Sequence, residues 1–158
     1  MAASGDCRFC AIVRGDAEAR VVHDGERTLG FLDRRPLFPG HVLLIPREHH
    51  ETMADADPDL IAALFADARL LAVAVEQGLG ADGSFVAVNN RVSQSVPHLH
   101  VHVVPRRRKD GLRGFFWPRN VYRDDAHADE VCATLRAALD AISGRGRPAG
   151  GHGEERRG

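Results

Sequence analysis

The chain has no surplus of charge: 21 Lys and Arg stand against 22 Asp and Glu, for a net charge of −1. Without a general electrostatic pull, neither nucleic acid nor a membrane surface is expected as a partner, and any anionic ligand must be held locally. No run of about eighteen apolar residues occurs, so no ordinary membrane-spanning helix is expected. The opening stretch MAASGDCRFC lacks the basic-then-apolar layout of a secretory signal, and a cytoplasmic location is expected. Cysteine is scarce, and its odd count of three argues against a disulfide framework. There is no glycine-rich phosphate loop and no internal repeat, so phosphate recognition would fall to side chains and solenoid architectures are excluded.

What remains is a chain of 158 residues, 44% of them hydrophobic, enough for one core. We read a single domain over residues 1–143 and expect the glycine- and arginine-rich stretch 144–158 to be disordered. A short helix is expected over 9–13, and strands over 20–23 and 28–33 form a hairpin about Asp24-Gly25. A third strand occupies 40–46, after the breakers Pro36 and Pro39. Asp57-Pro58-Asp59 then supplies a cap, a first-turn proline and an acidic residue ahead of Leu60, Ile61, Leu64, Ala68, Leu71 and Val75 at helical spacing. That main helix stops near Gly78 or Gly80. A fourth strand covers 84–89, and a last helix runs over about 125–142, with Cys132 expected as core filling.

The most informative segment is Pro97-His98-Leu99-His100-Val101-His102-Val103-Val104-Pro105. In an extended chain this alternation sends three imidazoles to one face, roughly 7 Å apart, and Leu99, Val101 and Val103 into the core. It is the fifth strand. An imidazole near neutral pH can attack an activated phosphorus and be expelled again by water. Upstream, Cys7-x-x-Cys10 has the spacing of half a metal site, because two thiolates leave a tetrahedral ion half coordinated.

These residues resemble the histidine triad (HIT) superfamily, whose signature alternates three histidines with apolar residues. Gln94-Ser95-Val96 before the row, Phe31-Leu32-Asp33 with Pro36, and Gly40-His41 through Pro46 to His49 match further family blocks. The likeness covers roughly residues 7–105, with Trp117-Pro118 a weaker echo. It implies an α+β fold, a five-stranded antiparallel sheet with one main helix and a C-terminal helix, usually as a homodimer. It also implies cleavage at the α-phosphorus of nucleoside phosphoramidates or dinucleoside polyphosphates, with a purine nucleotide as substrate. The residues themselves leave the base and the leaving group open.

By the same resemblance His100 is the nucleophile that forms a nucleotidyl-histidine, His102 contacts phosphate oxygens, and Ser95 helps protonate the leaving group. Gln94 orients the phosphate, His41 lies near the row, and Asn89 and Asp33 bond phosphate or ribose oxygens. The apolar base slot would come from Phe9, Phe31, Leu32 and Ile45. Relatives with the amino-terminal cysteine pair complete a structural zinc site with the residues matching His49 and His98. His50 is the competing ligand, and the chemistry itself needs no metal. Arg91-Val92-Ser93 departs from the glycines that relatives often carry in that loop, and Arg91 could itself meet phosphate.

Blander readings apply elsewhere. His23, His127 and His152 are taken as ordinary histidines, and Arg106-Arg107-Arg108-Lys109 as a solvated loop. Phe115-Phe116-Trp117 is read as packing. Two other functions compete with the enzyme: a non-catalytic nucleotide sensor or scaffold, and a metalloenzyme chelating through His-x-His. The second lacks an evident carboxylate partner.

Overall fold

In a computed structural model, residues 7–112 and 121–144 are described, as two units considered separately. The expected disordered tail beyond residue 144 and the aromatic patch Phe115-Phe116-Trp117 lie outside the described residues. The first unit holds α1 (Arg8–Arg14), β1 (Val21–Asp24), β2 (Thr28–Leu32), β3 (Val42–Pro46), α2 (Pro58–Leu79), β4 (Gly83–Val88) and β5 (Val101–Arg106). One 3-10 turn, Met53–Asp55, precedes α2 in a stretch whose sequence carries no helical periodicity.

The five strands form one antiparallel sheet in the order β1-β2-β3-β5-β4. Both faces are covered near its centre, which explains why β3 is apolar at every position rather than alternating. Val42 and Leu44 join Val101 and Val103 of β5 against Leu64, Ala68, Leu71 and Val75 of α2. Leu43 and Ile45 face the other way and pack with Phe31 and Leu29 against Phe9 and Cys10 of α1. Period-two alternation therefore assigns β5 as well: Val101 and Val103 lie under α2, and His102, paired with Leu43 and Ala87, lies on the α1 side.

Local chemistry fixes the elements. The Asp57 carboxylate accepts the Leu60 N–H at 2.8 Å and Pro58 opens α2. Gly80 ends it in a left-handed conformation. The guanidinium of Arg107 donates to the Leu79 and Gly80 carbonyls at 2.7 and 2.8 Å, so this residue of the supposed solvated loop caps a helix. Arg106 belongs to β5 and clasps Asp110. Gly40, at φ +96°, leaves room for Leu79, which any Cβ there would strike.

The fifth strand starts later than its pattern predicts. Pro97 has no N–H, and β3 ends at Pro46, so the backbone before Val101 finds other partners. Leu99 N–H donates to the His50 carbonyl at 2.6 Å, and His98 N–H to the Val96 carbonyl at 2.8 Å. Leu99 still enters the core, fully buried.

The second unit contains α3 (Asp125–Gly144). Cys132 is exposed there, not core filling. It falls at helical spacing with Asp125, Asp129 and Arg136, a polar stripe. No described helix is long and apolar enough to cross a membrane.

Candidate active site and metal centre

On the α1 side of the sheet lies an open cleft of about 890 Å³, lined in part by Phe9, Phe31, Leu32, Asp33, Leu43, Ser95, His100 and His102. Phe9 stands edge-on to both Phe31 and His100, with ring centroids 5.4 Å apart in each case, and walls the apolar end.

His100 is buried, and its Nδ1 lies 2.6 Å from the His98 carbonyl oxygen. A carbonyl only accepts, so Nδ1 carries the proton and the neutral ring keeps its lone pair on Nε2. Every residue has a carbonyl, so nothing in the sequence marks this one.

A second chain of bonds sets His102. The Leu37 N–H donates to His41 Nδ1 at 3.2 Å, which puts the His41 proton on Nε2. That nitrogen lies 3.0 Å from His102 Nδ1 and donates to it, so His102 in turn carries its proton on Nε2. Burial pushes both pKa values down, that of His102 to about 4 with the His100 and His41 rings adding to the effect. The site thus presents one bare nitrogen and one N–H donor on rings 4.9 Å apart. Asp33 Oδ2 is 3.6 Å from His41 Nδ1, too far for a hydrogen bond to a nitrogen that already accepts one, while Oδ1 takes the Arg35 N–H at 2.9 Å.

Beneath this cleft, Cys7, Cys10, His49 and His98 bring their donor atoms within 4.8 Å of one another. Cys7 Sγ to His98 Nδ1 is 3.4 Å, Cys10 Sγ to His98 Nδ1 is 3.6 Å, and Cys10 Sγ to His49 Nδ1 is 3.3 Å. Two ligands at zinc–sulfur and zinc–nitrogen bond lengths on a tetrahedron sit about 3.6 Å apart. His98 Nε2 donates to the Pro46 carbonyl at 2.9 Å, leaving Nδ1 bare for an ion, and burial holds the ring neutral with a pKa lowered to about 4. The four donors fit a structural zinc with no open position. His49 is in the cluster; His50 instead turns its Nδ1 to the Asp55 carbonyl.

The remaining expected site residues are distributed unevenly. Ile45 is fully buried beneath the cleft, and Leu43, two residues away on the same face, lines it instead. Gln94 is engaged in backbone bonds: Nε2 donates to the Glu51 carbonyl of the segment after β3 at 2.6 Å, and Oε1 accepts the Arg91 N–H of its own loop at 2.7 Å. Asn89 reaches the Ser93 carbonyl at 3.4 Å and does not line the cleft. His98 turns Nδ1 to the cysteine cluster and Nε2 to the Pro46 carbonyl, and its own carbonyl holds His100, so its ring has no free nitrogen for the cleft. Arg91 and Ser93 adopt φ of 66° and 60°, the left-handed region that glycine fills without strain, which explains why glycines suit this loop.

The HIT domain model matches residues 14–109, well over half of the chain. The chain belongs to the HIT family. Adenylylsulfatase HINT3 of Arabidopsis thaliana is 34% identical over 144 residues, 87% of this chain and 71% of that one. A HIT-like protein of Methanocaldococcus jannaschii is 40% identical over 107 residues, 66% of this chain and 82% of its own length. Among solved structures, a Streptococcus mutans protein superposes with TM-score 0.78 at 32% identity, covering 85% of each chain. A zinc-bound histidine triad protein of Mycobacterium smegmatis does so with TM-score 0.67 at 39% identity, covering 90% of this HIT protein and 99% of its own chain.

Proposed function

We propose that this HIT protein is a nucleotide hydrolase or transferase acting at the α-phosphorus of nucleoside phosphoramidates or dinucleoside polyphosphates. The observation that carries this reading is the His100 ring, its Nδ1–H held by the His98 carbonyl and its Nε2 lone pair left for the cleft. Attack by Nε2 forms a nitrogen–phosphorus bond as the bond to the leaving group breaks. The leaving group takes a proton with the help of Ser95, which is exposed at the cleft wall. Water then attacks phosphorus, the nitrogen–phosphorus bond breaks, and the nucleoside monophosphate departs with His100 restored.

His102 Nε2–H donates to a phosphate oxygen as charge develops on it, needing no reorganisation because the His41 relay already fixes its tautomer. Asp33 Oδ2 receives ribose hydroxyls, and Phe9, Phe31, Leu32 and Leu43 enclose a purine. Zinc held by Cys7, Cys10, His49 and His98 supplies structural cross-linking. A homodimer in the cytoplasm belongs to the same reading.

The test is single-turnover reaction of wild type and His100→Gly with adenosine 5′-phosphoramidate, a diadenosine polyphosphate and adenylyl sulfate, the last because the Arabidopsis relative is named for it. AMP release and a phosphorus–nitrogen adduct on wild type alone are expected, with AMP binding retained by the variant. Turnover by His100→Gly would end this assignment, and binding without turnover by wild type would favour a sensor.

A further inference from the structure

The cleft is larger and more basic than one nucleotide monophosphate requires. Its volume of about 890 Å³ lies near the top of the roughly 300–1,000 Å³ typical of small-molecule sites. Four arginines line it, Arg8, Arg20, Arg34 and Arg35, against two carboxylates, Glu18 and Asp33, in a chain whose net charge is −1. Arg14, Arg27, Arg47 and Arg106 all pair with aspartates, whereas none of the four cleft arginines forms an ion pair among the described residues. Unpaired guanidinium groups gathered on one concave wall, and exposed, are a local anion site that the bulk composition conceals.

The backbone gives this charge a direction. The Leu32 N–H donates to the Arg20 carbonyl at 3.0 Å, which fixes Arg20 beside β2 at the approach to Asp33. Asp33 Oδ1 accepts the Arg35 backbone N–H at 2.9 Å, an Asx turn that sets the Arg34-Arg35 backbone beside the carboxylate proposed to meet the ribose. Arg8 adjoins Phe9, the wall of the base slot. The basic rim therefore surrounds the nucleoside end of the cleft, in addition to the His100 and His102 donors that serve the reacting phosphorus.

Resting on the nucleotide reading above, we infer that the rim of Arg8, Arg20, Arg34 and Arg35 selects ligands carrying a second phosphate-class anion at the nucleoside end. That anion can belong to a ribose phosphate or to the far phosphates of a folded dinucleoside polyphosphate. Both would meet the guanidinium fork with charge-assisted bonds, and both would bind less tightly as salt rises.

Binding is measured first, by calorimetry at low and high salt, with AMP, adenosine 3′,5′-bisphosphate and a non-hydrolysable methylene-bridged diadenosine tetraphosphate as probes. Wild type is expected to bind at least one of the two longer anions about tenfold or more tighter than AMP, with the ratio shrinking in high salt. In Arg20→Gln/Arg34→Gln/Arg35→Gln the ratio should fall to about one, and in the matching lysine triple it should partly return. A preference confined to the bisphosphate identifies a ribose phosphate; one confined to the tetraphosphate identifies a folded polyphosphate. Equal binding of all three by wild type, or a preference that survives the glutamine triple, overturns the inference. Because this readout is an affinity ratio, it stands apart from the His100→Gly turnover experiment: failure of the nucleophile assignment leaves the ratio to be read by itself, and an equal-affinity result overturns the rim without touching the test of His100.

Discussion

Acidification should destabilise the wild-type protein more than a His102→Gln variant. His102 sits in the fold with its pKa lowered to about 4 from an ordinary 6.5, chiefly because burial opposes the charged ring. In the unfolded chain the same ring takes up its proton as pH falls through 6.5, so the unfolded state binds more protons throughout the window from 6.5 to about 4. Stability from this group is fully present above 6.5 and declines as pH drops through that window. Going from about pH 6.5 to pH 5 spans 1.5 pH units at 1.36 kcal/mol each, or about 2 kcal/mol, reduced to about 1–2 by screening at the partly open edge of the ring. Urea unfolding at pH 7.5 and pH 5.0, followed by fluorescence and far-UV circular dichroism, measures the difference directly. Metal release in acid would weaken both proteins alike and cancels between them. Parallel stability curves for wild type and variant would refute the argument, and with it the neutral Nε2–H donor on which the phosphate contact depends.

Three other outcomes follow from the packing and the cluster. Cys10→Ser, or treatment with a strong chelator, should release a near-stoichiometric zinc ion detectable by a colorimetric dye and lower the melting temperature; an unchanged melting curve would show that the cluster holds no structural metal. Ser93→Gly should stabilise by about 0.5–1 kcal/mol in urea unfolding, because the left-handed backbone at φ 60° costs serine but not glycine. Leu64→Ala should destabilise by about 2–5 kcal/mol on the same assay, since that side chain is fully buried between α2 and the sheet.

Much of this fold follows from periodicity. The spacing of Leu60, Leu64, Ala68, Leu71 and Val75 fixes the buried face of α2, and Asp57-Pro58 marks its start, because both signals are local and each has one structural solution. Leu99, Val101 and Val103 enter the core as alternation requires. Where the pattern misleads, a non-local partner decides. The strand containing the histidines cannot begin at His98, since the backbone there bonds to the segment after β3. Cys132 and Ile45 are apolar by type, but one falls on an exposed stripe and the other lies one layer below the cleft surface. His49 and His50 are indistinguishable until the chain direction past Pro46 is known. The four cleft arginines are scattered over 28 positions of a chain rich in arginine, so only folding gathers them.

The clasp between α1 and the histidine row also has a consequence for synthesis. Cys7 and His98 are 91 residues apart in sequence, and Phe9, between the two metal-binding cysteines, walls the cleft beside His100. A ribosome-bound chain that has not yet released its hundredth residue or so has neither the clasp nor the reactive ring in position, because the long loop must close before either forms. Products truncated ahead of the histidine row should accordingly be inert toward nucleotides, and ion uptake should report the emergence of His98.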